Sequence, residues 1–190
     1  MTQPTLTLVL WAVLSVALLA SVVSDLVTRR IFDAVTYPAL GVSLALRLWR
    51  QGWGDLEHGL ISGLVSGAGA AGLFAVLAWR GRGFGWGDVK LMGAVGAALG
   101  YPLAVAALVF ISLVGALQAV VTLIWQGAVW ETLGAAVARL AARAHLARSA
   151  RAGSPVAAGA RQIPYGVAIA LGTFWAMWWE QSGQLGLGSP

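Results

Sequence analysis

Gly83-Phe84-Gly85-Trp86-Gly87-Asp88-Val89-Lys90, running on into Leu91-Met92-Gly93-Ala94-Val95-Gly96-Ala97-Ala98-Leu99-Gly100, decides how this chain is read. A glycine-rich loop delivers one carboxylate to the start of a stretch of small and apolar residues. A second carboxylate, Asp25, stands near the end of the first apolar run, which begins at Leu8. Ionisable side chains at membrane depth cost roughly 2.5–3.5 kcal/mol each on insertion scales, so they are kept where they have a task. Two aspartates able to meet point to acid–base chemistry.

Working outward, the whole chain has the composition of a polytopic membrane protein. Hydrophobic residues make up 59% of the 190 and charged residues 10%, and mean hydropathy is +0.80. Little is left for a soluble domain, so a single all-α transmembrane domain over residues 1–190 is expected. The absence of cysteine excludes disulfides, a cysteine nucleophile and cysteine-held zinc. Met1 to Thr7 has no Lys or Arg, so the basic start of a cleavable signal peptide is missing.

A membrane-crossing helix takes about 20 apolar residues. Six such segments are expected: about Leu6–Val27, Ile31–Trp49, Leu56–Trp79, Asp88–Gly100, Leu103–Trp125 and Ile163–Trp179. Of the twelve Lys and Arg, ten fall in alternate loops: Arg29, Arg30, Arg80, Arg82, Lys90, Arg139, Arg143, Arg148, Arg151 and Arg161. Only Arg47 and Arg50 fall on the other side, near Asp55 and Glu57. The positive-inside rule then places both termini outside and those loops in the cytosol. In that orientation Asp25 ends an inward-running helix and Asp88 begins an outward-running one, so the two share a depth and a face. The fourth segment, Asp88–Gly100, is short, which predicts a shallow pocket on the cytosolic side.

Small residues at four-residue spacing (Gly63, Gly67 and Ala71; Gly96 and Gly100) predict close helix contacts. In the long segment Gln126 to Gln162, Trp130, Leu133, Val137, Leu140 and Ala144 recur at helical spacing among arginines. That pattern predicts an amphipathic helix lying in the interface. Tryptophans near the segment ends (Trp49, Trp79, Trp86, Trp125, Trp178, Trp179) fit an interfacial belt.

Each candidate has a plainer explanation. Asp88 could serve only as a helix N-cap. Asp25 could pair with Arg29 one turn on. Asp33 could be solvated or cap the second helix, and Lys90 could snorkel or pair with Asp88 or a lipid phosphate. His58 and His145 have no partners at metal spacing. The glycines are not a phosphate loop, since neither the GK[ST] ending nor the G-x-G-x-x-G spacing is present. It is the two aspartates at one depth that outweigh the plainer alternatives.

Three separated segments resemble the type IV prepilin peptidases, intramembrane aspartyl proteases with a GxGD motif. Asp25-Leu-Val-Thr-Arg-Arg-Ile31 is similar to the segment of the first catalytic aspartate, and Gly85-Trp-Gly-Asp88-Val-Lys-Leu91 to that of the second. Arg161-Gln-Ile-Pro-Tyr-Gly166-Val-Ala-Ile-Ala-Leu-Gly172 resembles the segment that opens the last span. Where many members have Ile-Pro-Asn after the first aspartate, this chain has Ile31-Phe32-Asp33. The cysteine-rich insert linked to N-methylation in larger members is absent, and the short form resembles the peptidases of Flp (tight-adherence) pilus systems.

The resemblance implies an aspartyl dyad of Asp25 and Asp88. Gly85, Gly87, Lys90, Ile163, Pro164 and Gly166 would position the substrate. That substrate is a prepilin or pseudopilin, cut where its short basic leader meets its apolar helix. The implied setting is the bacterial cytoplasmic membrane, with the active site facing the cytosol, the lipid bilayer as surroundings and the pilus assembly machinery as a possible partner. Cleavage without methyl transfer is expected, with no metal, no organic cofactor and no nucleic acid. From helix dipoles alone, Asp88 at a helix N-terminus is expected to hold the charge and Asp25 at a C-terminus the proton. Two other functions use the same acids differently: an ion-coupled transporter with Asp25 and Asp88 as proton sites, and a non-catalytic scaffold.

Overall fold

The computed structural model describes residues 3–52, 59–80, 85–125, 134 and 165–183. Among these are six helices: α1 (Gln3–Thr28), α2 (Asp33–Gln51), α3 (Leu60–Trp79), α4 (Trp86–Leu99), α5 (Leu103–Trp125) and α6 (Tyr165–Gln181). There is no strand among the described residues. Each of the six expected spans is helical over most of its described residues. Three contain a stretch long and apolar enough to cross a membrane: Thr7–Thr28, Leu60–Trp79 and Leu103–Thr122. The others fall short for visible reasons. α4 has 14 residues and α6 has 17, and α2 carries Asp33, Arg47 and Arg50.

Met1–Gly115 with Pro164–Pro190 make one compact unit, and Ala116–Ile163 a second. The first holds α1 to α4, the start of α5, and α6. In the second, the described residues are the last turns of α5 and Gly134, so the expected interfacial helix lies outside the described residues.

α1 shows how the apolar helices are used. Leu10, Leu14, Ala17, Leu18 and Ser21 are buried, while Leu8, Val16, Leu19, Val23 and Val27 on the other side are exposed. An apolar side chain gains nothing from packing inward when lipid is equally apolar, so both faces can be hydrophobic. The helix stops at Arg29, whose φ of 54° is left-handed, with its N–H still donating to the Asp25 carbonyl at 2.9 Å. The chain then turns through Ile31 and Phe32 into α2.

α4 is the central helix of the first unit. Every residue from Leu91 to Gly100 is buried. Glycines let α3 come close to it. A methyl group on Gly67 would lie 2.9 Å from the Gly93 carbonyl, and one on Gly96 would run into the Ser66 carbonyl. This is the small-residue packing expected from sequence. Gly63 and Gly100 have a different neighbour. They flank Arg47, which is 4% exposed. Its Nε donates to the Ala97 carbonyl at 2.8 Å and an Nη to the Ala98 carbonyl at 2.9 Å. The last carbonyls of a helix have no partner within it, and here an arginine from α2 supplies them. A shorter central helix is tolerated because its end is capped inside the protein.

α6 packs on the first half of α5. A methyl group on Gly172 would sit 2.5 Å from the Ile111 backbone. Phe110 stacks on Trp175 at 5.3 Å and lies 5.6 Å from Trp179. Trp179 is thus a packing residue, while Trp49, Trp79, Trp86, Trp125 and Trp178 are exposed.

Candidate functional site

The last turn of α1 and the first turn of α4 bring two buried carboxylates into one place. Asp25 is 8% exposed and Asp88 7%, and they are close enough to act on each other electrostatically. Each is fixed by a backbone N–H from a different glycine. The Gly85 N–H donates to Asp88 Oδ2 at 2.9 Å, and the Gly166 N–H to Asp25 Oδ2 at 2.9 Å. Among the described residues neither remaining oxygen takes a hydrogen bond.

Asp88 is not an N-cap. Gly85 holds that position and Asp88 is the third residue of the helix, with its carboxylate reaching back to the capping residue's N–H. The pairing of Asp25 with Arg29 does not form, and the one ion pair between described residues is Lys90 with Asp33, at 2.7 Å. Lys90 donates to both Asp33 oxygens and sits 5.1 Å from the centre of the Tyr37 ring. Of the partners expected for Lys90, Asp88 is therefore not the one it takes, and Asp33, expected to be solvated or to cap the second helix, opens α2 as the lysine's ion-pair partner.

The two motif glycines that can be seen from both sides are there for closeness. At Gly166 a methyl group would lie 2.8 Å from Asp25 Oδ2 and 3.3 Å from its Cβ. At Gly87 it would lie 2.9 Å from Ile31 Cβ. The α1–α2 turn therefore presses on the start of α4, so all three sequence segments meet around the two acids. Ile163 and Pro164 lie outside the described residues. Their neighbour Tyr165 does not, and it was not singled out from sequence. Its hydroxyl lies where a Gly115 side chain would be, 2.7 Å from that position, and it feels the Asp88 carboxylate electrostatically.

The dipole distinction drawn from sequence fails here. Asp25 does end α1, but its carboxylate also receives an N–H from the first turn of α6. Both acids thus face a helix N-terminus, and the helix ends do not tell them apart.

No group of His, Asp or Glu among the described residues is arranged to hold a metal ion. A recess of about 290 Å³ between α3 and the start of α5, lined by Ile61, Val65, Tyr101 and Leu108 among others, includes neither aspartate.

The comparisons with curated proteins and with solved structures gave no match. The sequence model described as "Type IV leader peptidase family" matches residues 12–120. That is more than half of the chain and includes both buried aspartates, the glycine loop and most of the helices around them. On that match, together with apolar helices fit to cross a membrane, the chain belongs to the type IV leader peptidase family and is a helical membrane peptidase.

Proposed function

We propose that the chain is an intramembrane aspartyl endopeptidase that removes the short basic leader of Flp-type prepilins, or of pseudopilins, at the cytosolic boundary of the membrane. In this reading all six helices cross or enter the bilayer, both termini are outside, and the dyad faces the cytosol. The short α4 then starts at the depth where a leader meets an apolar helix. The arrangement of Lys and Arg supports this orientation.

One observation carries the mechanism. Two buried carboxylates, close enough to act on each other electrostatically, are each held at one oxygen by a backbone N–H. Two adjacent carboxyls do not both ionise readily, so they share a proton. The ionised partner takes a proton from water as the water oxygen bonds to the scissile carbonyl carbon. The protonated partner gives its proton to the carbonyl oxygen. The resulting tetrahedral species collapses with proton transfer to the amide nitrogen, the C–N bond breaks, and the leader leaves with a new carboxylate. The reaction draws on water alone and needs no metal or organic cofactor. The pair titrates as a unit.

Leader cleavage of a prepilin in membranes, compared between wild type, Asp25→Asn and Asp88→Asn, tests this. Loss of cleavage in both variants, with both still inserted, is expected. Cleavage at the wild-type rate in either would remove that aspartate from the chemistry. It would leave a leader peptidase whose water is activated by groups other than this pair.

A further inference from the structure

Asp33, Lys90 and Tyr37 stand beside the dyad without touching it, and the aspartyl mechanism does not use them. Their placement follows from the turn between α1 and α2. Asp25 lies in the last turn of α1, which ends at Thr28, and Asp33 opens α2 five residues after that end. On α4, Gly87 and Lys90 are three residues apart and so share a helix face. Gly87 meets Ile31 with no room for a methyl group between them, and Lys90 meets Asp33 with both carboxylate oxygens at 2.7 Å. The steric contact and the ion pair lie side by side and join the same two elements.

These elements carry the two acids. Asp25 is tied to the turn through the end of α1, where the Arg29 N–H still bonds the Asp25 carbonyl. Asp88 lies between Gly87 and Lys90. The glycine contact prevents the turn and α4 from coming closer, and the ion pair prevents them from separating. The Tyr37 ring, 5.1 Å from the ammonium, limits where the lysine can point.

We propose that the Asp33–Lys90 pair, backed by Tyr37, is a positioning clamp that fixes the separation of Asp25 and Asp88. The inference rests on the dyad reading for its meaning, but its central test does not need catalysis. The clamp is partly open to its surroundings, with the Asp33 side chain 55% and the Lys90 side chain 32% exposed. Exposed pairs add little to stability, so its effect falls on geometry. A displacement on the order of 1 Å in a catalytic group can cost about a hundredfold in rate.

The chain has no native cysteine, so Asp25→Cys with Asp88→Cys reports the separation of the two positions. The probe is a short bifunctional thiol reagent, applied to membranes and read as intramolecular cross-linking. Adding Asp33→Ala or Lys90→Met to this background is expected to lower the cross-linking rate several-fold. Adding the exchanged pair Asp33→Lys with Lys90→Asp is expected to restore it. With both aspartates intact, the same single changes should lower kcat for prepilin cleavage roughly tenfold to a hundredfold. KM should stay nearly constant, and the exchanged pair should recover most of the loss. Unchanged cross-linking in the single variants, or no recovery in the exchanged pair, overturns the clamp. A change confined to KM would instead make Lys90 or Asp33 a substrate contact and overturn it as well. Should Asp25→Asn or Asp88→Asn cleave normally, the dyad reading falls, while the cross-linking result still decides the clamp.

Discussion

Replacing Gly166 by alanine separates catalysis from folding more cleanly than replacing either aspartate. The added methyl group would lie 2.8 Å from Asp25 Oδ2, against an ordinary carbon–oxygen contact of about 3.5 Å. The carboxylate must therefore move by roughly 0.7 Å or rotate away. In doing so it stretches or loses the 2.9 Å hydrogen bond from the Gly166 N–H. A hydrogen bond to a charged group is worth about 1.5–3 kcal/mol, and an error on the order of 1 Å in a catalytic group costs about a hundredfold. Both routes lead to a fall in kcat of roughly tenfold to a hundredfold. The fold should hardly notice. The nearest atom is the end of a side chain, the next contact at 3.3 Å is tight but adjustable, and alanine is the better helix former. Prepilin cleavage in detergent micelles gives kcat, and heat-induced aggregation of the same preparation gives stability. Wild-type turnover by Gly166→Ala would refute the reasoning, because Asp25 would then not depend on where Gly166 holds it. A protein that no longer survives mild heating would refute it differently, by showing the glycine to be a packing residue.

Other substitutions should act on stability instead. Arg47→Met removes the donors to the Ala97 and Ala98 carbonyls and should cost roughly 2–6 kcal/mol at about 1–3 per unpaired carbonyl, read as a lowered aggregation temperature; an unchanged temperature would show that the end of α4 finds other donors. Gly96→Ala drives a methyl group into the Ser66 carbonyl and against Gly67 Cα, where only backbone can yield. A loss of about 1–3 kcal/mol is expected, by the same measurement. A strong chelator should leave cleavage at its initial rate, since a carboxyl dyad activates water without a metal; inhibition reversed by adding back a divalent cation would contradict the dyad.

The acids were legible in the sequence because charge is scarce in this chain. Against a run from Leu8 of apolar and hydroxyl side chains, Asp25 stands out, and glycines on either side of Trp86 mark the approach to Asp88. Gly166 could be named only through resemblance, since nothing local says that its N–H will meet a residue 141 positions away. The charge distinction between the acids failed for the same reason. It took account of the helices that carry Asp25 and Asp88, but not of α6 docking against Asp25. Lys90 was ambiguous because solvent, lipid phosphate and Asp88 all suit an ammonium near a helix start, and Asp33 lies 57 residues earlier. Arg47 was counted only as one of two charges on the far side of the second segment, with no partner inside the protein, because a buried arginine is costly unless its donors are met. The unpaired carbonyls at the end of α4 reverse that balance. The signal was present in principle: a helix that stops at Gly100, with φ of 70°, needs a donor for its last carbonyls.

Because α4 is walled off from Leu91 to Gly100, its 14 residues (about 21 Å at 1.5 Å each) do not have to match the hydrocarbon thickness. On α1, α3 and α5, the helices long and apolar enough to cross a membrane, Val16, Val65 and Val109 are each more than three-fifths exposed. Tilting or local deformation of the bilayer is therefore absorbed by the outer surfaces of those helices, while α4 from Leu91 on is referenced to its protein neighbours. Reconstitution into thinner or thicker lipid should alter how the molecule sits in the bilayer more than it alters the distance between its two acids.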